Sequence, residues 1–138
     1  MQDEAEESLA EVFRGVARQL RQQTQRTLAP WEVSPSQARA LGVLTRHGPM
    51  RLGTLSDYLR IVPRSATEVV DALEEACLVE RRPDPDDRRA ILVALTTRGE
   101  EVAAGIRAAR AAEAEGFFGH LDEADRTSLA RILRTLRS

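Results

Sequence analysis

The stretch "RRPDPDDRRAILVALTTRG", residues 81–99, opens with four arginines and three aspartates around two prolines, then runs into an alternating apolar segment. It reads as a β-hairpin. Residues 79–82, "VERR", are extended; "PDPDD" turns the chain; "AILVAL" returns as a strand with Ile91, Val93 and Leu95 on one face. A tight turn needs no Arg88 and Arg89 at its tip, so the hairpin carries more charge than its folding requires.

Upstream of the hairpin, Pro63 starts the helix "PRSATEVVDALEEA", with Ser65 and Glu68 offering a rival capping-box start. Ala66, Val69, Val70, Leu73 and Cys77 share its apolar side. Arg64, Ser65, Thr67, Glu68 and Asp71 lie opposite, towards the N-terminal half. Before it come a short extended piece and a short helix in "MRLGTLSDYL", and before those a helix opened by Ser34, Pro35 and Gln37 and ended at Gly48-Pro49. Residues 4–28 carry an apolar stripe of Leu9, Val12, Phe13, Val16, Leu20 and Leu28. Downstream, a Thr97–Glu100 capping box launches an alanine-rich helix to about Phe118. Asp122 with Asp125 caps a last helix striped by Leu129, Ile132, Leu133 and Leu136.

Two short helices followed by a two-stranded hairpin are the layout of a winged helix-turn-helix. The expected fold is therefore mainly α with a small β-hairpin wing, a winged lobe at about residues 34–97 and helices at about 4–28 and 98–138. At 138 residues it is one domain.

In such a lobe the N-terminal half of the second helix enters the major groove of DNA. The residue types suit base and phosphate contact, since arginine bonds guanine bidentately, hydroxyls bond base edges or phosphates, and glutamate accepts from cytosine. Pro63, Arg64, Ser65, Thr67 and Glu68 are the candidate contacts there, against the plainer reading of a solvated face with a Glu68–Arg64 pair. Arg88 and Arg89 are candidates for the minor groove, with Asp87 holding the Arg89 guanidinium extended through an ion pair. The plainer reading of the hairpin is a polar turn whose charges balance. The net charge of −2 says nothing about DNA alone, but residues 46–64 hold four arginines against Asp57.

The chain is expected to be cytoplasmic: one cysteine forms no internal disulfide, the acidic N-terminus is not a signal peptide, and no apolar run spans a membrane. No catalytic motif is present, and no cofactor or metal site is expected from two histidines and one cysteine.

Residues 63–99 closely resemble the MarR family of bacterial transcriptional regulators. The likeness rests on the helix from Pro63, the "LVERR" strand, the D-x-R of Asp87 and Arg89, and the L-T-x-x-G of Leu95, Thr96 and Gly99. The resemblance implies a homodimer joined through the terminal helices, a double-stranded DNA operator, and a small aromatic or phenolic effector bound between the dimerisation helices and the winged lobe. Trp31, Arg14 and Arg18 are the candidate lining residues. Function is then read as a ligand-responsive repressor on a palindromic operator. One departure is Cys77, where the family usually has glycine. Cys77 is expected to be a small buried residue; its alternative is a thiol redox switch. A winged-helix module for protein contact is the remaining rival.

Overall fold

A computed structural model of the protein describes residues 6–137. The chain forms α1 (Leu9–Leu28), a 3-10 turn (Ala29–Trp31), α2 (Pro35–His47), β1 (Met50–Arg51), α3 (Leu52–Leu59), α4 (Pro63–Glu75), β2 (Val79–Pro83), β3 (Ile91–Leu95), α5 (Thr97–Phe118) and α6 (Glu123–Leu136). The three strands form one antiparallel sheet in the order β1-β3-β2, with Val93 opposite both Met50 and Arg81. The mainly helical winged architecture expected above is the one observed.

Local chemistry explains most boundaries. Ser34 caps α2 by accepting from the Gln37 N–H at 3.1 Å, while the Gln37 side chain accepts from the Ser34 N–H, and Pro35 occupies the first helical position. Asp122 caps α6 by accepting from the Asp125 N–H at 2.8 Å. Two starts differ from expectation. Helix α1 begins at Leu9, because Ser8 and Glu11 form a capping box that ends the extended lead-in; residues 4 and 5 lie outside the described residues. Helix α5 is capped by Thr96 rather than Thr97, because the Thr96 hydroxyl faces the Gly99 N–H at 3.0 Å.

The core sits where α2, α3, α4 and the sheet meet the N-terminal half of α5. Leu41, Leu55, Leu59, Val70, Leu73 and Val93 are all buried in it. Burying each such side chain stabilises by about 1.5–3 kcal/mol. Ile91, although on the Val93 face of β3, is exposed, because the wing end of the strand projects beyond the core. Among the described residues no helix is long and apolar enough to cross a membrane.

Candidate nucleic-acid interface

Helix α4 is anchored by one side. Ala66, Val70 and Leu73 are buried, Val69 packs half-buried against the core, and Pro63, Arg64, Glu68 and Asp71 are exposed. Its first turn has no side-chain cap, since Val62 precedes Pro63, so N–H groups of the opening turn lack a capping acceptor, a role a phosphate can fill. Ser65 and Thr67 are half-buried, and the Thr67 hydroxyl donates to the Pro63 carbonyl at 3.0 Å. No Glu68–Arg64 ion pair forms among the described residues.

The turn into α4 is tight. Arg60 sits in the left-handed region at φ 55°, its N–H donating to the Asp57 carbonyl, and the Ile61 N–H donates to the Ser56 carbonyl at 3.2 Å. The carbonyl of Leu59, one of the last-turn acceptors that α3 leaves unsatisfied, receives a 2.9 Å bond from the Arg39 guanidinium of α2. The helix-turn-helix is thereby tied to α2 by an ionised donor.

Helix α4 ends in a Schellman motif. The Cys77 N–H donates to the Glu74 carbonyl and the Leu78 N–H to the Leu73 carbonyl, both at 2.9 Å, with Cys77 at φ 64°. This corrects the expectation that Cys77 is buried on the apolar side of the helix. The helix has already ended at Glu75, and the left-handed residue turns its thiol to solvent.

The wing sorts its arginines into two groups. Arg81 on β2 reaches back to α4, bonding Asp71 and Glu74 at 2.8 Å each. The hydrogen bond to Asp71, reinforced by the charges of both carboxylates, raises its pKa above the usual arginine value. Arg82 pairs with Glu80. Arg51 of β1 lies 3.5 Å from Asp84 and 3.4 Å from Asp87, tying the wing to the third strand. Arg64, Arg88 and Arg89 are exposed and form no ion pair among the described residues. Asp87 therefore does not hold the Arg89 guanidinium, contrary to the expectation from sequence. Its Oδ1 accepts from the Arg89 backbone N–H at 3.0 Å, an Asx turn that shapes the tip, while Oδ2 faces Arg51. A second Asx turn runs from the Asp86 N–H to Asp84 at 2.9 Å. Arg51 and Arg81 carry no sequence signal of these roles, since both depend on cross-strand and strand-to-helix neighbours.

A cleft of about 820 Å³ lies between α2, α3 and α5. Arg39, Arg46, Arg107 and Arg110 line it, and the rings of His47 and Tyr58 stack at 4.3 Å on one wall. Neither Trp31 nor Arg14 and Arg18, the expected effector contacts, belongs to it. Trp31 lies against α5 at Gly105, where a Cβ would stand 3.0 Å from its ring, and Arg14 and Arg18 are exposed on α1. Trp31 is a plug between the α1–α2 turn and α5. No group of His, Cys, Asp or Glu fit to hold a metal occurs among the described residues.

The comparisons with known proteins agree with this geometry. The MarR family model matches residues 33–91, which contain α2, α3, α4 and most of the wing. An HTH-type transcriptional regulator of Mycobacterium leprae is 38% identical over 78 residues, covering 56% of this chain and 54% of that protein. The chain thus spans about half the length of the first such relatives it matches. The HTH-type transcriptional repressor MdtR of Bacillus subtilis is 31% identical over 108 residues, covering 75% of this chain and 67% of the repressor. Among solved structures, RV1404 from Mycobacterium tuberculosis aligns over 99% of this chain and 97% of its own at 30% identity and a TM-score of 0.79. Wild-type MarR from E. coli, at 21% identity, shares the fold with a TM-score of 0.78 over 94% of this chain and 97% of its own. With the recognition-type helix, the Asp87–Arg89 wing and a match to MdtR over most of both chains, the protein belongs to the MarR family of winged-helix transcriptional regulators.

Proposed function

We propose that the chain binds double-stranded DNA sequence-specifically as a homodimer and acts as a ligand-responsive repressor. The observation that carries this reading is the division of arginines. Arg51, Arg81 and Arg82 are engaged by carboxylates within the fold, whereas Arg64 on the first turn of α4 and Arg88 and Arg89 on the wing are left for an external anion. Arg64, with Ser65, Thr67 and Glu68 on the same half of α4, would meet base edges in the major groove. Arg88 and Arg89 suit the narrow, negative minor groove beside it.

Dimerisation is supported by apolar side chains that this chain leaves uncovered: Leu9, Val12, Phe13 and Val16 on α1, and Ile132, Leu133 and Leu136 on α6. Two-fold symmetry then sets two α4 helices about 34 Å apart, facing half-sites about 10 base pairs apart in a palindrome.

The test is binding-site selection with the purified protein, followed by Arg64→Ala and Arg89→Ala on the selected duplex and on scrambled DNA over a series of salt concentrations. Arg64→Ala is expected to cost about 1–3 kcal/mol at one operator position and to relax preference there. Arg89→Ala is expected to weaken all sequences alike and to lower the salt slope by about one. Wild-type affinity in both variants refutes the assignment.

A further inference from the structure

Large apolar side chains are exposed at few places on the winged lobe among the described residues. Tyr58 is stacked on His47, and Ile91 stands opposite Pro83 across the wing. Val62 is 64% exposed immediately before α4, beside the exposed Pro63 and Arg64.

Val62 also breaks the rule for its position. With φ −69° and ψ 150° it holds the extended conformation in which Ser8, Ser34, Thr96 and Asp122 cap α1, α2, α5 and α6, yet it offers the first turn of α4 no oxygen. Valine ranks far below serine, threonine or aspartate as an N-cap. Arg51 leaves α3 uncapped in the same way, but its side chain is engaged by Asp84 and Asp87. Packing does not explain Val62, because its neighbour Ile61 makes the apolar contact with the core and Ala66 is the residue that the opening of α4 buries. A serine would hold the helix better and expose less apolar surface. Two costs of folding at one exposed position, with no gain inside the chain, point to a contact outside it.

The place of Val62 sets the kind of contact. The N-terminal end of a recognition helix meets base edges in the major groove, and the apolar feature there is the 5-methyl group of thymine; cytosine turns a polar amino group to the same groove. We propose that Val62 reads thymine at one position of each half-site through that methyl group, adding apolar discrimination beside the hydrogen-bonding Arg64. This inference rests on the reading of α4 as the DNA-contacting helix and assigns it a base and a side chain.

The experiment uses the intact chain and the operator obtained by binding-site selection. Each thymine is replaced in turn by deoxyuridine, symmetrically in both half-sites, which removes the methyl group and leaves base pairing unchanged. One such replacement is expected to weaken wild-type binding about fifteenfold, or about fourfold per half-site for one methyl group withdrawn from apolar contact. Val62→Ala should bind the thymine operator about as weakly as the wild type binds the deoxyuridine operator, and should tell the two apart by less than about threefold. Val62→Ser should lose the same discrimination. Urea unfolding gives a readout without DNA: Val62→Ala should leave the midpoint unchanged, and Val62→Ser should raise it, because serine restores the missing cap.

A selected operator whose thymines can all be replaced without loss overturns the inference. So does a deoxyuridine penalty that persists in Val62→Ala, which would assign the methyl contact to another side chain such as Thr67. A lower midpoint in Val62→Ser would give Val62 a role inside the fold and overturn it as well. Failure of the wild type to bind any duplex overturns the proposed function together with this inference, whereas specific binding without a methyl effect overturns the inference alone.

Discussion

Replacing Gly99 by alanine sets two physical effects against each other. Position 99 lies in the first turn of α5, and on helix propensity alone Gly→Ala gains about 0.5–1 kcal/mol. Sterically it has nowhere to go. The added methyl would overlap the Leu78 carbonyl oxygen and stand 2.9 Å from the carbonyl carbon. Carbon atoms pack best at about 3.5–4.0 Å, so the start of α5 must retreat from β2 by about half an ångström or more. Two bonds span this junction, Thr96 N–H to the Leu78 carbonyl at 3.1 Å and the Thr96 hydroxyl to the Cys77 carbonyl at 2.6 Å, and the N-cap bond from Gly99 N–H to the Thr96 hydroxyl at 3.0 Å lies beside them. Overpacking costs about 1–3 kcal/mol and weakening these bonds about as much as losing one of them, about 0.5–1.5 kcal/mol, so the net expectation after the propensity gain is a loss of about 0.5–4 kcal/mol. Urea unfolding followed by circular dichroism, at one fixed protein concentration because the stability of the proposed dimer would depend on it, measures the difference. Gly42→Ala on α2, where an added methyl meets nothing within 4 Å, is the control expected to stabilise by about 0.5–1 kcal/mol. A Gly99→Ala protein as stable as the wild type would refute the steric argument.

Cys77→Gly is expected to stabilise by about 0.5–1 kcal/mol, the left-handed strain relieved exceeding the extra backbone entropy of glycine; a lower unfolding midpoint than wild type counts against that strain. Because its thiol is exposed, Cys77 should also react with a thiol reagent in the native protein at nearly the rate of a free cysteine. Arg81→Ala should cost less than about 1 kcal/mol, shrinking in high salt, since both of its partners lie at the surface; a double-mutant cycle with Asp71→Ala isolates the pair. Ile132→Asp with Leu136→Asp should yield a monomer or an unfolded chain by sedimentation, and a folded dimer would dispose of the α6 interface.

Elements announced by local chemistry were legible in the sequence. The Ser34–Gln37 box, the Asp122 cap, the Pro63 start and the alternating β3 strand each rest on residues within a few positions of one another. The boundaries that moved did so because neighbouring residues compete for one role: Thr96 and Thr97 both offer a hydroxyl, and only the closure of β2 onto α5 selects Thr96. The same limit explains Cys77. Its spacing matches the apolar side of α4, but the helix closes early through bonds to Leu73 and Glu74, which reverses the exposure. In the site, Arg64, Arg88 and Arg89 could be nominated from position in a motif. The roles of Arg39, Arg51 and Arg81 could not, because their partners Leu59, Asp87 and Asp71 lie 20, 36 and 10 residues away. Gly99 belongs to a motif readable as a pattern, yet its physical reason, the Leu78 carbonyl, appears only once β2 and α5 are side by side.

Formally the wing is neutral: Arg81, Arg82, Arg88 and Arg89 balance Glu80, Asp84, Asp86 and Asp87. Geometry makes it one-sided, because Asp84 and Asp87 spend oxygens on the turn's own N–H groups and on Arg51. Asp87 can therefore be altered in two ways with opposite results. Asp87→Asn keeps a carbonyl oxygen to accept from the Arg89 N–H, so the tip retains its shape, while a negative charge of the wing disappears and Arg51 is partly released. Nonspecific affinity should rise, with a steeper salt dependence. Asp87→Ala removes the same charge and also the Asx turn. Loosening the tip adds an ordering cost on binding, which should offset the gain in charge and leave Asp87→Ala weaker than Asp87→Asn at every salt concentration. The comparison holds charge constant, so the difference between the two variants reads the turn alone. Identical binding curves for Asp87→Asn and Asp87→Ala would show that the aspartate acts only through its charge.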